Sequence, residues 1–392
     1  MNLDKNTIID QLRVSEKRLS RRSFLKSAAV MGLVSSCPLF ALPASGPGFS
    51  QDSFERFIRE AGYYEKLDHK QIRCTLCPRE CVIDDRERGY CGVRENLEGI
   101  YYTLVYGRAC TYHIDPVEKK PLYHFLPGSL SFSIAAAGCN MNCRFCQNWQ
   151  ISQVTPEQVR SIDLPPASVV KNASAHNCAS IAYTYSEPTV FYEYMYDTAE
   201  EGRRNNIKSV VITAAYINQK PLQELCKKVD AVKIDLKSFS EKYYKEIVNG
   251  ELKPVLDALV TIKKSGVWNE IVYLVVPTLN DSEQEIRDLC RWIQSNLGRN
   301  VPIHFTRFHP QYLLKNLPPT PLSTLERCKA IADTEGLNYV YLGNVPGHQA
   351  GNTYCPKCGK TLISRLGYQT GPVKIKNNKC VNCSFKIPGI WQ

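Results

Sequence analysis

From about residue 130 to residue 345 the pattern of apolar and polar positions switches repeatedly between two periods. Short β-rich runs recur, namely SFSIAAAG, SIAYTYSEP, SVVITAA, AVKIDLK, EIVYLVVP and IHFTRFHP, with YVYLGN as a further candidate strand. The stretches between them, such as TVFYEYMYDTAEEGRRNN and DSEQEIRDLCRWIQSNLG, carry apolar residues at helical spacing. The second of these begins with an Asp-Ser cap. Strands alternating with helices predict an α/β fold, a parallel sheet with helices packed outside it. Six or so units predict a complete or partial β/α barrel. Chemistry in that architecture collects at the carboxyl ends of the strands. Cys139 to Cys146, Glu187-Pro188, Thr213, Asp235 to Lys237, and His309 all fall at such ends.

Composition narrows the class. The chain has 392 residues, 43% hydrophobic and 22% charged, as expected of a globular protein with one large core and one or two satellites. Its net charge is +11, of which residues 1–50 supply +4 from seven Lys/Arg against three Asp/Glu. No dense basic stripe or basic run interleaved with aromatics occurs, so nucleic acid is not an expected partner.

Seventeen cysteines change the picture, because eleven of them fall into three tight groups. The first is Cys74, Cys77, Cys81 and Cys91; the second is Cys139, Cys143 and Cys146; the third is Cys355, Cys358, Cys380 and Cys383. Two-residue gaps suit a metal knuckle, in which adjacent thiolates point at one ion. The third group pairs two knuckles across a spacer and suits a closed four-thiolate zinc site, or a single iron, with a structural role. The first group suits either zinc or an auxiliary iron–sulfur cluster, and Cys110 could replace one of its ligands. The second group has three members. Three thiolates suit a three-ligand zinc site, a zinc site with a distant fourth ligand, or a four-iron cluster with one iron open to a substrate or cofactor. Cys37, Cys110, Cys178, Cys226, Cys290 and Cys328 are scattered, and most are expected to be small buried hydrophobes.

The front of the chain reads SRRSFLK at residues 20–26, followed by an uncharged run that lasts to Asp52. This resembles a twin-arginine export signal, a route for proteins that fold and load their metals first. Val34-Ser35-Ser36-Cys37 also matches a lipoprotein box, with Pro38 directly after it. The expected location is therefore periplasmic or membrane-associated, with cytoplasmic residence as the alternative and membrane contact only through this segment.

Cys139-x3-Cys143-x2-Cys146, with Phe145 before the third cysteine, resembles the signature of the radical S-adenosylmethionine (radical SAM) superfamily. The resemblance implies that these thiolates hold a [4Fe-4S] cluster whose open iron binds S-adenosylmethionine. It further implies reductive cleavage of that cofactor to a 5′-deoxyadenosyl radical, which takes hydrogen from a substrate. Tyr185-Ser186-Glu187-Pro188 is similar to the family's Gly-Gly-Glu-Pro strand end, where the carboxylate meets the cofactor's amino group. Thr213, Asp235-Leu236-Lys237 and His309 resemble segments that surround the cofactor in the activating enzymes of glycyl-radical proteins, with Ile212 where an acidic residue stands there. The implied cofactor-binding set is thus Phe145, Glu187, Thr213, Asp235, Lys237 and His309.

The longer runs CTLCPREC, GYCGVR, DPVEKKPLYHFLPG, GCNMNCRFCQNWQIS, YVYLGNVPGH and NTYCPKCG are similar, in that order, to the radical SAM enzymes of the AmmeMemoRadiSam system, relatives of pyruvate formate-lyase activating enzymes. That similarity implies Memo-type and AMMECR-type proteins as partners, beside a reductant such as ferredoxin or flavodoxin. The implied organisation is a twin-arginine signal and linker at 1–50 and an N-terminal extension with a four-cysteine site at 51–127. A partial (β/α)6 core barrel follows at 128–345, and a C-terminal zinc-ribbon-like tail at 346–392. The expected activity is hydrogen abstraction from a protein or peptide; alternatives are a small-molecule substrate or a non-catalytic iron–sulfur or zinc module.

Overall fold

Eight strands form the central sheet of the computed structural model, which describes residues 56–391; the paired arginines and Cys37 lie outside the described residues. The strands are β1 (Thr111–Pro116), β2 (Leu130–Ala135), β3 (Ser180–Tyr183), β4 (Lys208–Thr213), β5 (Ala231–Asp235), β6 (Trp268–Val275), β7 (Ile303–Arg307) and β8 (Val340–Gly343). Their order in space is their order in the chain. From β2 to β8 every neighbouring pair is parallel. β1 runs antiparallel to β2 along its whole length, with Thr111 opposite Ala135 and Pro116 opposite Leu130. The sheet is open, with β1 and β8 as its edges. All six runs and YVYLGN form parallel strands, one more than a (β/α)6 core would hold, and the open sheet is that of a partial barrel.

Between parallel strands lie α1 (Pro166–Ala175), α2 (Tyr192–Arg204), α3 (Gln219–Cys226), α4 (Leu252–Ser265), α5 (Glu283–Asn296) and α6 (Leu322–Thr334). A monotonic strand order joined by crossovers of one hand places the helices on one face of the sheet, and Val117, Leu122 and Phe125 pack against Ala182, Val210, Ile212 and Ala231 of the strands. Helix α5 shows why the local sequence complies. The Ser282 hydroxyl accepts from the Glu285 amide at 3.2 Å and caps the first turn. Ile286, Leu289, Cys290 and Ile293 then fall on one buried stripe, and full burial of each large aliphatic stabilises by about 1.5–3 kcal/mol. Cys178, Cys226, Cys290 and Cys328 are indeed buried among apolar neighbours. Cys110 is half-buried, and its thiol donates to the Ala135 carbonyl at 3.4 Å.

Small sheets flank the core. Two three-stranded sheets build the N-terminal extension, and the tail folds as three two-stranded ribbons. Tyr339 and Tyr341 of the β8 segment share one apolar cluster with Tyr123, Cys355, Leu362, Cys380 and Ile387, so the tail packs directly on the sheet edge. No helix among the described residues is long and apolar enough to cross a membrane.

Candidate active site

Strand β2 ends in small residues and then turns through Gly138 into the three-cysteine loop. Gly138 has φ +91°, and a Cβ there would lie 2.6 Å from the Cys91 carbonyl oxygen and from a Val93 methyl. Only glycine fits this approach. The loop is fixed by backbone bonds from Gly138 to Ile151 (2.9 Å), Asn142 to Val248 (3.1 Å) and Arg144 to Ile247 (2.9 Å). Asn140 donates to the Tyr216 carbonyl at 2.7 Å and Gln153 to the Met141 carbonyl at 3.0 Å. Phe145 is buried beside Tyr243.

Cys139, Cys143 and Cys146 carry free thiols and face one cavity of about 510 Å³, a size typical of small-molecule sites, roughly 300–1,000 Å³. Burial pushes all three thiols up, Cys143 to about 12 despite the pull of Lys237. Bound metal supplies the positive charge that would hold them as thiolates. The three sulfurs do not draw within 4.8 Å of one another, as the four of Cys355, Cys358, Cys380 and Cys383 do. Thiolates around one tetrahedral ion stand about 3.8 Å apart, given a bond of about 2.3 Å. The spread and the missing fourth thiol therefore fit an iron–sulfur cluster with one open iron better than a lone ion.

The next strand ends contribute charge. Glu187, buried, starts the short turn Pro188–Phe191. Its Oε1 accepts from the Thr189 amide (3.1 Å), the Thr189 hydroxyl (2.8 Å) and the Thr213 hydroxyl (2.5 Å), and its Oε2 from the Ala214 amide (2.9 Å). Thr213 thus supports Glu187 from below; Ile212 and Ala214, not Thr213, line the cavity. Asp235 is gripped between Lys233, in hydrogen-bond contact, and Lys237 at 3.5 Å. Burial alone would raise the Asp235 carboxyl, but the two ammonium groups hold it below its usual range. Asp235 in turn raises Lys237 against the opposing effect of burial. His309 is exposed and absent from the cavity lining, so the structure does not bring it to the other residues. Thr306 lines the cavity from that strand end instead.

Several further groups line the cavity that the sequence had given no role of their own. Tyr185 adopts φ +68° where the resembled family has glycine, a conformation costing about 1–3 kcal/mol for a residue with a side chain. Its hydroxyl bonds Asp115, its ring lies 4.5 Å from the Lys120 ammonium, and Asn148 donates to its carbonyl at 2.8 Å. Ser186 donates to the Ala136 carbonyl at 2.7 Å. Lys120, almost wholly buried, pairs with Asp115, and burial brings it down to about 8. Lys119, Lys120, Lys233, Asn344 and Tyr368 of the tail complete the cavity wall. The run DPVEKKPLYHFLPG held Asp115, Lys119 and Lys120, but nothing in its spacing pointed them toward the cysteines.

The family profile described as the Radical SAM superfamily matches residues 133–293. The chain is similar to an uncharacterized protein of Methanocaldococcus jannaschii, 45% identical over 332 residues, which span 84% of this chain and 99% of that protein. It is also similar to the pyruvate formate-lyase-activating enzyme of Clostridium pasteurianum, 25% identical over 164 residues, 40% of this chain and 67% of that protein. Among solved structures, a radical SAM methyltransferase from Sphaerobacter thermophilus covers 60% of this chain and 71% of its own, with a TM-score of 0.45 at 14% identity.

Proposed function

The chain belongs to the radical SAM superfamily, an enzyme family, and from that premise we propose that it abstracts hydrogen from a protein or peptide in the manner of an activating enzyme. When bound, a [4Fe-4S] cluster with S-adenosylmethionine supplies the 5′-deoxyadenosyl radical for such chemistry. Cys139, Cys143 and Cys146 would hold the cluster. One observation carries the reading: three free thiols and a carboxylate fixed by four donors face one cavity from successive strand ends. Glu187 is oriented before any ligand arrives, so it can receive an ammonium group without reorganising. Lys237 offers a cation to a carboxylate, and Asp235 holds that cation in place and charged. Phe145 closes the apolar side of the loop.

Similarity to activating enzymes supports a protein substrate. Two lysines of the cavity lining, Lys119 and Lys120, favour a second reading in which the substrate is a small anion. Both readings share the first test. The full chain is reconstituted anaerobically with iron and sulfide, reduced, and given S-adenosylmethionine. We expect 5′-deoxyadenosine from the wild type and none from Cys143→Ala. A verified reduced cluster that yields no product in the presence of candidate substrates would overturn both readings in favour of a non-catalytic module.

Cys355, Cys358, Cys380 and Cys383 we assign to zinc. Their sulfurs lie within 4.8 Å of one another, Cys355 and Cys383 at 3.5 Å and Cys358 and Cys380 at 3.9 Å, and Cys355 and Cys380 are part of an apolar cluster. Four thiolates at such distances close a tetrahedral site, and metal analysis decides between zinc and iron. Membership of the AmmeMemoRadiSam group, with Memo-type and AMMECR-type partners, is proposed from the runs quoted above; co-purification tests it. Export by the twin-arginine route is proposed from residues 20–26, and cell fractionation of wild type against Arg21→Lys/Arg22→Lys tests it. A ferredoxin or flavodoxin is the proposed reductant.

A further inference from the structure

The first cysteine group lies apart from the cavity, and none of its members lines it. A hairpin brings three of them around one turn. The Cys74 amide donates to the Cys81 carbonyl at 2.9 Å, and the Glu80 amide to the Cys77 carbonyl at 3.1 Å. Cys91 joins them from the tight turn closed by the Gly92 amide on the Gly89 carbonyl. Cys74, Cys81 and Cys91 pack into one apolar cluster, and Cys77 is buried beside them in the chain. All four thiols are free.

A separate observation points to a ligand among them. Arg94 is 1% exposed and lies near enough to Cys74 and Cys91 to feel the charge of both. Its Nη2 donates to Glu193 at 2.5 Å and its Nε to the Val190 carbonyl at 3.3 Å. Its Nη1, fully buried, has no hydrogen-bond partner. A buried guanidinium N–H left over beside four thiols lacks the acceptor that an inorganic sulfide or thiolate would supply. The spread of the sulfurs indicates the kind of group. No three of Cys74, Cys77, Cys81 and Cys91 lie within 4.8 Å of one another, in contrast to the C-terminal four. They share this wider spacing with Cys139, Cys143 and Cys146.

We propose that Cys74, Cys77, Cys81 and Cys91 bind a second iron–sulfur cluster, with Arg94 donating to it, and that this cluster passes electrons to the three-cysteine loop. The two sites are in contact. The Cys91 carbonyl packs on Gly138, and Arg79, two residues from Cys77, donates to the Asn140 carbonyl at 2.5 Å. One peptide link separates Asn140 from Cys139. On the outer side, Val82 and Tyr90 are exposed next to Cys81 and Cys91. Each transfer moves one electron: a low-potential iron–sulfur or flavin protein is oxidised, the second cluster is reduced, and it is reoxidised as the electron passes on. The relay role rests on the radical SAM reading; the cluster itself does not.

The test uses the full chain and the Cys139→Ala/Cys143→Ala/Cys146→Ala variant, both reconstituted anaerobically. Iron, acid-labile sulfide and zinc are measured, with electron paramagnetic resonance after reduction. The triple variant should keep a cluster of about four iron and four sulfide whose signal is unmoved by S-adenosylmethionine, and adding Cys77→Ala/Cys91→Ala should abolish it. A triple variant with no iron and one zinc beyond the C-terminal site would overturn the proposal. For the relay, Cys77→Ala/Cys91→Ala alone should retain dithionite-driven cleavage of S-adenosylmethionine and lose flavodoxin-driven cleavage by an order of magnitude or more. Equal loss with both reductants would refute the relay; Cys81→Ser, at a less buried position, repeats the comparison if the double variant misfolds. A second cluster that persists while the wild type shows no S-adenosylmethionine-sensitive signal would sink the radical reading and leave this site standing.

Discussion

Glu270 offers the sharpest test of how the sheet is held to its flanks. Its carboxylate is wholly buried near the start of β6. Oε1 accepts from the His124 amide (2.8 Å) and the Trp268 indole (3.1 Å), Oε2 from the Tyr123 amide (3.0 Å) and His304 (2.8 Å). His124 in turn donates from Nδ1 to the Pro388 carbonyl at 2.8 Å and accepts from the Tyr341 hydroxyl at 2.6 Å, joining the tail to the sheet. Glu270→Ala leaves four buried donors without an acceptor and should cost about 3–5 kcal/mol. Glu270→Gln is milder. Its oxygen keeps two donors, and His304 can change tautomer to accept from the new amide, because its Nδ1 has no partner to lose. One orphaned amide, that of Tyr123, then costs about 1–3 kcal/mol.

Acid should mimic the loss. Burial holds His124 down at about 4, while the unfolded chain takes up that proton from about pH 6.5. The unfolded state therefore binds more protons between those values, and stability falls as pH drops through the window. The gap corresponds to about 3 kcal/mol at 1.36 kcal/mol per pH unit. Glu270 acts in the same direction lower down. Burial opposes its ionisation, but His304, His124 and the backbone donors hold its carboxyl below the usual range, so its contribution disappears as it protonates. The assay is urea unfolding followed by tryptophan fluorescence between pH 4 and 8. An Ala variant within about 1 kcal/mol of wild type, or a Gln variant less stable than the Ala variant, would refute the reasoning.

Three further outcomes follow from the site and its supports. Glu187→Gln sets an amide against some of the four donors that now hold the carboxylate, and should weaken S-adenosylmethionine binding by about tenfold or more, the equivalent of 1.4 kcal/mol; calorimetry on the reconstituted protein measures it. Gly138→Ala places a Cβ 2.6 Å from the Cys91 carbonyl at φ +91°, so it should destabilise by about 1–3 kcal/mol and lower iron retained at the loop, read by metal analysis. Cys358→Ala or a strong chelator should release the metal proposed for the tail and expose the segment from Cys355 to Cys383 to proteolysis, since that tail has only a small apolar cluster of its own; unchanged protease resistance would contradict a structural metal.

Seven parallel strands and the helices between them were legible because period and turn chemistry are local properties. The runs SVVITAA and AVKIDLK announce themselves within a few residues, and Ser282 before an amphipathic stripe marks a helix start. The cysteine motif was legible for a related reason: thiolates a few residues apart must share whatever they bind. The sequence alone therefore determined the strand–helix alternation, the grouping of eleven cysteines and the strand ends where chemistry collects. What it could not determine were partners far apart in the chain. Asp115 meets Tyr185 seventy residues on, Glu118 meets Thr370 across 252, and Arg94 meets Glu193 across 99. No period encodes such pairs, since each exists only after the sheet has set its order and the tail has closed on its edge. For the same reason His309, near a strand end, is exposed, while Lys120 and Lys233, given no role by the runs that contain them, line the cavity. Backbone periodicity is fixed by neighbours in sequence; which side of a strand end faces the cavity is fixed by what packs behind it.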